Sequence, residues 1–311
     1  MYVLPYHCAR VPDCRHASNR GYANCGYRTL SALAISSPTR AYVKPFHRFS
    51  CFCVTPSEGT HPLESQPVDV HDQIHSSVLA GPPQQIAMLA YPTFIPLDLF
   101  GPHAVFALLG NVNVHLVWKT KDTVMAATNL PIQPTTTFKE CPKDLEVLFV
   151  PGGLEGGTAI MNDPEVVDFL HDRGQRAKYV TSVCTGSLLL GAAGLLQGHK
   201  ATSHWTVREL LPLLGATPVD QRVAEDRNRV TAGGVTAGID FGLQVAARLC
   251  DEQYAKMLQL TLEYNLQPPF PAGSPAGAGL ELTNHVRERR APTVEAARQA
   301  ALIVQKRLSR T

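Results

Sequence analysis

Tyr179-Val180-Thr181-Ser182-Val183-Cys184-Thr185-Gly186-Ser187-Leu188-Leu189-Leu190 joins two segments of different character. Its first half is short, apolar and β-branched, as suits a buried strand. From Ser187 to Leu196 the residues are Leu, Ala and Gly, which predicts a packed helix. Cys184 stands at the join, with small residues behind it where a strained strand-to-helix turn leaves no room for bulk. A thiol there faces a helix N-terminus, whose partial positive charge and unpaired N–H groups favour the thiolate. The ordinary thiol pKa of about 8.5 is therefore expected to fall. The amides of Thr185 and Gly186 point toward charge developing on a bound substrate. Position alone also suits an inert buried cysteine, so the neighbouring motifs decide between the two.

The chain has 311 residues, 44% of them hydrophobic, and a net charge of +2. That length and apolar content allow a large core. No apolar run reaches the ~20 residues of a membrane span, and the charge balance gives no reason to expect nucleic acid. Cys8, Cys14, Cys25, Cys51 and Cys53 crowd the beginning, while Cys141, Cys184 and Cys250 are isolated. The later thiols read as reduced and intracellular. Cys51 and Cys53 have one residue between them and no CxxC or HxxxH partner follows, which argues against a metal site.

Residues 1–83 differ from the remainder. Up to Ser57 they carry six arginines and one lysine against one acid, Asp13. This basic, Cys-containing extension is expected to be disordered or a targeting segment, ending in a polar linker. The protein is accordingly expected in the cytoplasm, or in mitochondria if residues 1–80 form a presequence.

Residues 84–266 read as one α/β domain. Ile86–Tyr91, Val112–Trp118, Leu145–Val150 and the strand before Cys184 are predicted buried strands. Val124–Ala127 and Ile132–Thr136 suggest a side hairpin. Helices are expected after Leu97, over 163–176, after Trp205 to Leu214, from Thr236 and over Glu252–Tyr264. Such alternation predicts a mostly parallel sheet with helices on both faces, with ligands bound beyond the strand C-termini. Asp98, Gly152-Gly153 and Cys184 each follow a predicted strand end and should meet on that rim. Asp98 has two available roles, cap of the helix beginning at Leu99 and proton donor. His204 is a secondary candidate, Asp240 reads as structural, and Cys141 and Cys250 as inert. Residues 267–311 open with a proline-rich stretch that cannot be helical as far as Pro275. Two short helices, Leu280–Arg290 and Thr293–Leu308, are expected to follow and pack on the core or on a dimer partner.

Together, Leu97-Asp98-Leu99-x-Gly101-Pro102, Pro151-Gly152-Gly153, the Cys184 elbow and Gly233-Gly234-Val235-Thr236-Ala237-Gly238-Ile239-Asp240 resemble the ThiJ/PfpI superfamily. Within it the chain looks most like the isonitrile hydratase branch, whose C-terminus Pro268-Pro269-Phe270-x-Ala272-Gly273-Ser274-Pro275 also resembles. The resemblance implies a flavodoxin-like sandwich, a homodimer and no cofactor or metal. It implies Cys184 as nucleophile, Asp98 as the acid facing it and Thr185 as the following hydroxyl residue. Gly152, Gly153 and Gly186 would supply donors to substrate or oxyanion. Thr185 stands where protease-like members carry histidine, which disfavours Cys-His chemistry.

The implied activity is addition of water to an isonitrile through a Cys184 thioimidate, in detoxification or secondary metabolism. A non-catalytic, redox-sensing role for an oxidisable Cys184 is the alternative. A DNA-binding regulator is disfavoured, because too few residues follow Pro275 for a recognition module.

Overall fold

The computed structural model describes residues 81–310, so the expectations for the basic extension lie outside the described residues up to position 80. The chain enters through β1 (Gln84–Leu89), α1 (Pro96–Phe106) and β2 (Val112–Trp118). Three two-residue strands follow, β3 (Val124–Met125), β4 (Pro131–Ile132) and β5 (Thr136–Thr137). Next come β6 (Val147–Val150), α2 (Leu154–Ile160), α3 (Pro164–Arg176), β7 (Tyr179–Val183) and α4 (Gly186–Ala192). A 3-10 segment, Arg208–Leu214, lies between β8 (Lys200–Ala201) and β9 (Thr217–Pro218). The chain closes with β10 (Val223–Asp226), β11 (Arg229–Ala232), α5 (Ala237–Leu249), α6 (Glu252–Thr261) and α7 (Pro275–Leu308).

The central sheet runs β10-β11-β7-β6-β1-β2-β5. Only the β10–β11 pair is antiparallel; every other neighbour is parallel. Every residue of β6 is buried, and so are the last four of β7. Continuous burial is what a strand needs when helices cover both faces. On one side α1 packs against α5 and α5 against α6; a second group joins α2, α4, the 3-10 segment and α7. This is the expected mostly parallel α/β sandwich.

Local chemistry sets the helix boundaries. Asp163 caps α3, its Oδ1 accepting from the N–H groups of Glu165 (3.0 Å) and Val166 (3.3 Å), and Pro164 fills the first turn, where a missing N–H costs nothing. Val166, Phe169 and Leu170 then turn one face inward.

Several expectations are corrected. The helix predicted up to Leu214 is a 3-10 segment containing Pro212, which cannot donate to an α-helical ladder. The side hairpin consists of β3 and β4 alone; β5 leaves it and extends the main sheet beside β2. α2, Leu154-Glu155-Gly156-Gly157-Thr158-Ala159-Ile160, has no counterpart in the sequence reading because its paired glycines argue against a helix. The two predicted C-terminal helices are one element, α7, with Pro292 inside it and an irregular turn at Gly279. Pro275, read as the last residue of an extended stretch, opens this helix behind the Ser274 cap, whose Oγ accepts from Gly277 N–H at 3.2 Å.

Candidate active site

Cys184 leaves β7 with φ of +57°, in the left-handed region that a side chain enters only under constraint. The constraints are hydrogen bonds to two other segments. Cys184 N–H donates to Ala232 O at 2.9 Å, at the end of β11. Its carbonyl accepts from His204 N–H at 3.2 Å and from the buried Ser203 hydroxyl at 3.0 Å. Thr185 N–H is directed at the sulfur, and α4 begins at the next residue.

Asp98 lies in the first turn of α1, whose N-cap is Ile95, so the capping role is not the one it takes. Its side chain is fully buried, with Oδ2 accepting from Gly152 N–H at 3.0 Å. Ile95 N–H in turn donates to Gly152 O at 2.8 Å, tying the start of α1 to the turn after β6. A Cβ on Gly152 would overlap Asp98 Oδ2 and stand 2.7 Å from Cys184 Cβ. Glycine is therefore required where acid, turn and nucleophile close on one another. Asp98 Oδ1 is buried with no hydrogen-bond partner among the described residues.

The electrostatics correct the expectation of a lowered thiol pKa. Burial, and then the charge of Asp98, push the Cys184 thiol well up, against the pull of Thr185 N–H and the positive charge of Arg290. Burial likewise lifts the Asp98 carboxyl from 3.8 to about 7, although the thiol and Gly152 N–H favour its ionised form. Two acids in one water-poor site resist ionising together. As pH rises through about 7 the pair therefore passes to a single negative charge and a single proton to move.

Gly152 and Gly153 were expected to offer donors to substrate. In the structure both N–H groups are engaged, Gly152 by Asp98 and Gly153 by Thr185 Oγ1 at 2.9 Å. They position the acid and the hydroxyl instead. Thr185 was expected to hold Asp98 or a water; its oxygen accepts from Gly153 N–H, which leaves its O–H free to donate. Gly186 starts α4 with its Cα facing the carbonyl oxygens of Val150 and Pro151, too close for a side chain.

Tyr91, just beyond β1, escaped sequence reasoning because nothing sets it apart from a core aromatic. It is buried behind the site, donates to Pro151 O at 3.0 Å and senses the charges of both Asp98 and Cys184. His204 has its ring 5.8 Å from that of Trp205 and its Nδ1 2.8 Å from Thr206 Oγ1. Burial and Arg290 lower its pKa to about 4, so it is neutral and contributes through its backbone. Asp240 accepts from Arg222 Nε (2.7 Å) and Tyr264 (3.0 Å), a structural role. Among the described residues no three His, Cys, Asp or Glu side chains gather as a metal site would require, and no helix is long and apolar enough to cross a membrane.

The chain is similar to known proteins. Isonitrile hydratase of Pseudomonas putida is 50% identical over 211 residues, which are 68% of this chain and 92% of that protein. DJ-1alpha of Drosophila melanogaster is 27% identical over 149 residues, 47% of this chain and 69% of its own length. The crystal structure of a ThiJ/PfpI family protein from Pseudomonas syringae superposes with a TM-score of 0.72 at 46% identity, covering 78% of this chain and 98% of that one. Residues 84–248, from β1 almost to the end of α5, match the DJ-1/PfpI family, and the chain belongs to it.

Proposed function

We propose that this protein is an isonitrile hydratase, converting an isonitrile to an N-substituted formamide at Cys184 without a cofactor. The observation that carries the reading is the buried Cys184–Asp98 pair, which once Asp98 ionises holds one charge and one transferable proton; the Pseudomonas putida relative supports it. An isonitrile carbon has a lone pair to protonate and, once protonated, is open to a soft nucleophile. The Asp98 carboxylate takes the S–H proton, sulfur bonds to the carbon, and the Asp98 carboxyl returns the proton to that carbon. The product is a thioimidate. Water then adds across its C=N bond, the hydroxyl to carbon and the proton to nitrogen. As the tetrahedral adduct collapses, its hydroxyl proton goes to the departing sulfur through Asp98, releasing formamide and thiol. Thr185, with its oxygen fixed by Gly153, has its O–H available to hold that water, and Thr185 N–H, which is aimed at the sulfur, steadies the adduct.

Burial weighs against the oxidisable-thiol alternative, since sulfenic acid formation follows exposure and thiolate character. Purified protein given alkyl and aryl isonitriles is expected to release the formamides, detected by mass spectrometry. Cys184→Ala should abolish turnover, and Asp98→Asn should slow it by about 10²–10⁴-fold, the range of a lost general acid–base group. Silence of the wild type across both classes of isonitrile would sink the reading. The homodimer implied by the family is part of the same proposal and is checked by light scattering.

A further inference from the structure

Arg290 of α7 stands between the two segments that flank Cys184. On one side it lines a cavity of about 550 Å³ with Arg289 and Glu155, the latter in the first turn of α2 just after Gly152-Gly153. On the other it lines a cavity of about 380 Å³ with Arg287, Arg298, Trp205 and Thr206, next to the Ser203–His204 segment that holds the Cys184 carbonyl. Arg287 is laid over the Trp205 ring, 5.6 Å from its centroid, so its guanidinium is already oriented. The carboxylates in the smaller cavity are Glu209 and Glu295, and Glu295 is engaged by Arg298 at 3.5 Å. Among the described residues no ion pair engages Arg287 or Arg290. The charge of Arg290 is also felt at both Cys184 and His204.

A neutral alkyl isonitrile gives Arg290, whose charge is felt at Cys184, and Arg287, which shares its smaller cavity, nothing to bind. We propose that the substrate is an isonitrile carrying a carboxylate, held by Arg290 and Arg287 while its isonitrile carbon reaches Cys184. The planar guanidinium fork matches a carboxylate, and the Trp205 ring gives the intervening carbons an apolar wall. The proposal rests on the hydratase reading and deepens it.

The test compares ω-isocyano carboxylates of graded chain length with their methyl esters, using wild type, Arg290→Gln and Arg290→Glu. With wild type, kcat/KM for the best carboxylate should exceed that for its ester by about tenfold or more, as a charge-assisted contact provides. The ratio should fall toward one in Arg290→Gln and below one in Arg290→Glu. Raised salt should shrink it in the wild type. Esters turned over as well as acids by the wild type, or a preference that survives both substitutions, would overturn the inference alone. Turnover of neither acids nor esters, nor of any plain alkyl isonitrile, would overturn the hydratase reading and this inference with it.

Discussion

Asp98 shows how one buried carboxyl ties chemistry to stability. Its pKa is raised, so the folded protein keeps a proton that the unfolded chain releases between 3.8 and about 7. The stability contributed by the protonated form is complete below the lower value and is lost as pH rises through the upper one. Asp98→Asn removes this slope while retaining an acceptor for Gly152 N–H. Thermal melts should show the variant gaining on wild type between pH 4 and pH 7, by up to about 4 kcal/mol, and no further gain beyond that span. Activity should run the opposite way. Below about 7 the pair carries two protons and the base that accepts the thiol proton is lost, so wild-type kcat/KM should rise with pH through about 7. A flat profile across that range would separate Asp98 from the proton transfer.

Elements meet closely wherever glycine permits it. On α5, Gly242 faces Val105 of α1, where a Cβ would stand 3.0 Å from Val105 Cγ2. One turn earlier a Cβ on Gly238 would stand 3.0 Å from the Pro102 ring. This contact sets how closely α1, and Asp98 with it, packs against α5. Gly242→Val should therefore cost about 1–3 kcal/mol by overpacking, read as a lowered denaturant midpoint, and should reduce activity as α1 is pushed outward. An unchanged midpoint would mean that the helices yield without cost. The same scale explains which elements were legible. β6 is a continuous apolar run, β7 a short and largely β-branched one, and α3 announces itself by Asp163, Pro164 and an amphipathic face. α2 was hidden because its glycines serve packing: a Cβ at Gly156 would overlap the Pro92 carbonyl.

Across the whole molecule, α7 lies against α2, α4 and the 3-10 segment, burying Ala297, Ala301 and Val304. Asn162 Nδ2 donates to Ala300 O at 3.2 Å and Arg307 Nη2 to Ala192 O at 2.6 Å, fastening the helix at two places. Removing residues 267–311 should lower the melting temperature. It should also speed alkylation of Cys184, which is 5% exposed in the intact fold, as followed by peptide mass spectrometry. An unaltered alkylation rate would show that α7 does not shield the nucleophile. By itself the sequence determined the parallel arrangement of the main strands, the helices with a clear cap or face and the meeting of Asp98, Gly152, Gly153 and Cys184, because strand and helix periods, caps and turn glycines are local signals that a parallel topology gathers on one rim. Only the tertiary structure decided that the thiol pKa rises, that the two glycine amides are engaged by Asp98 and Thr185, and that the charge of Arg290 is felt at Cys184. Burial and long-range approach are properties of neighbours distant in the chain, and no local pattern encodes them.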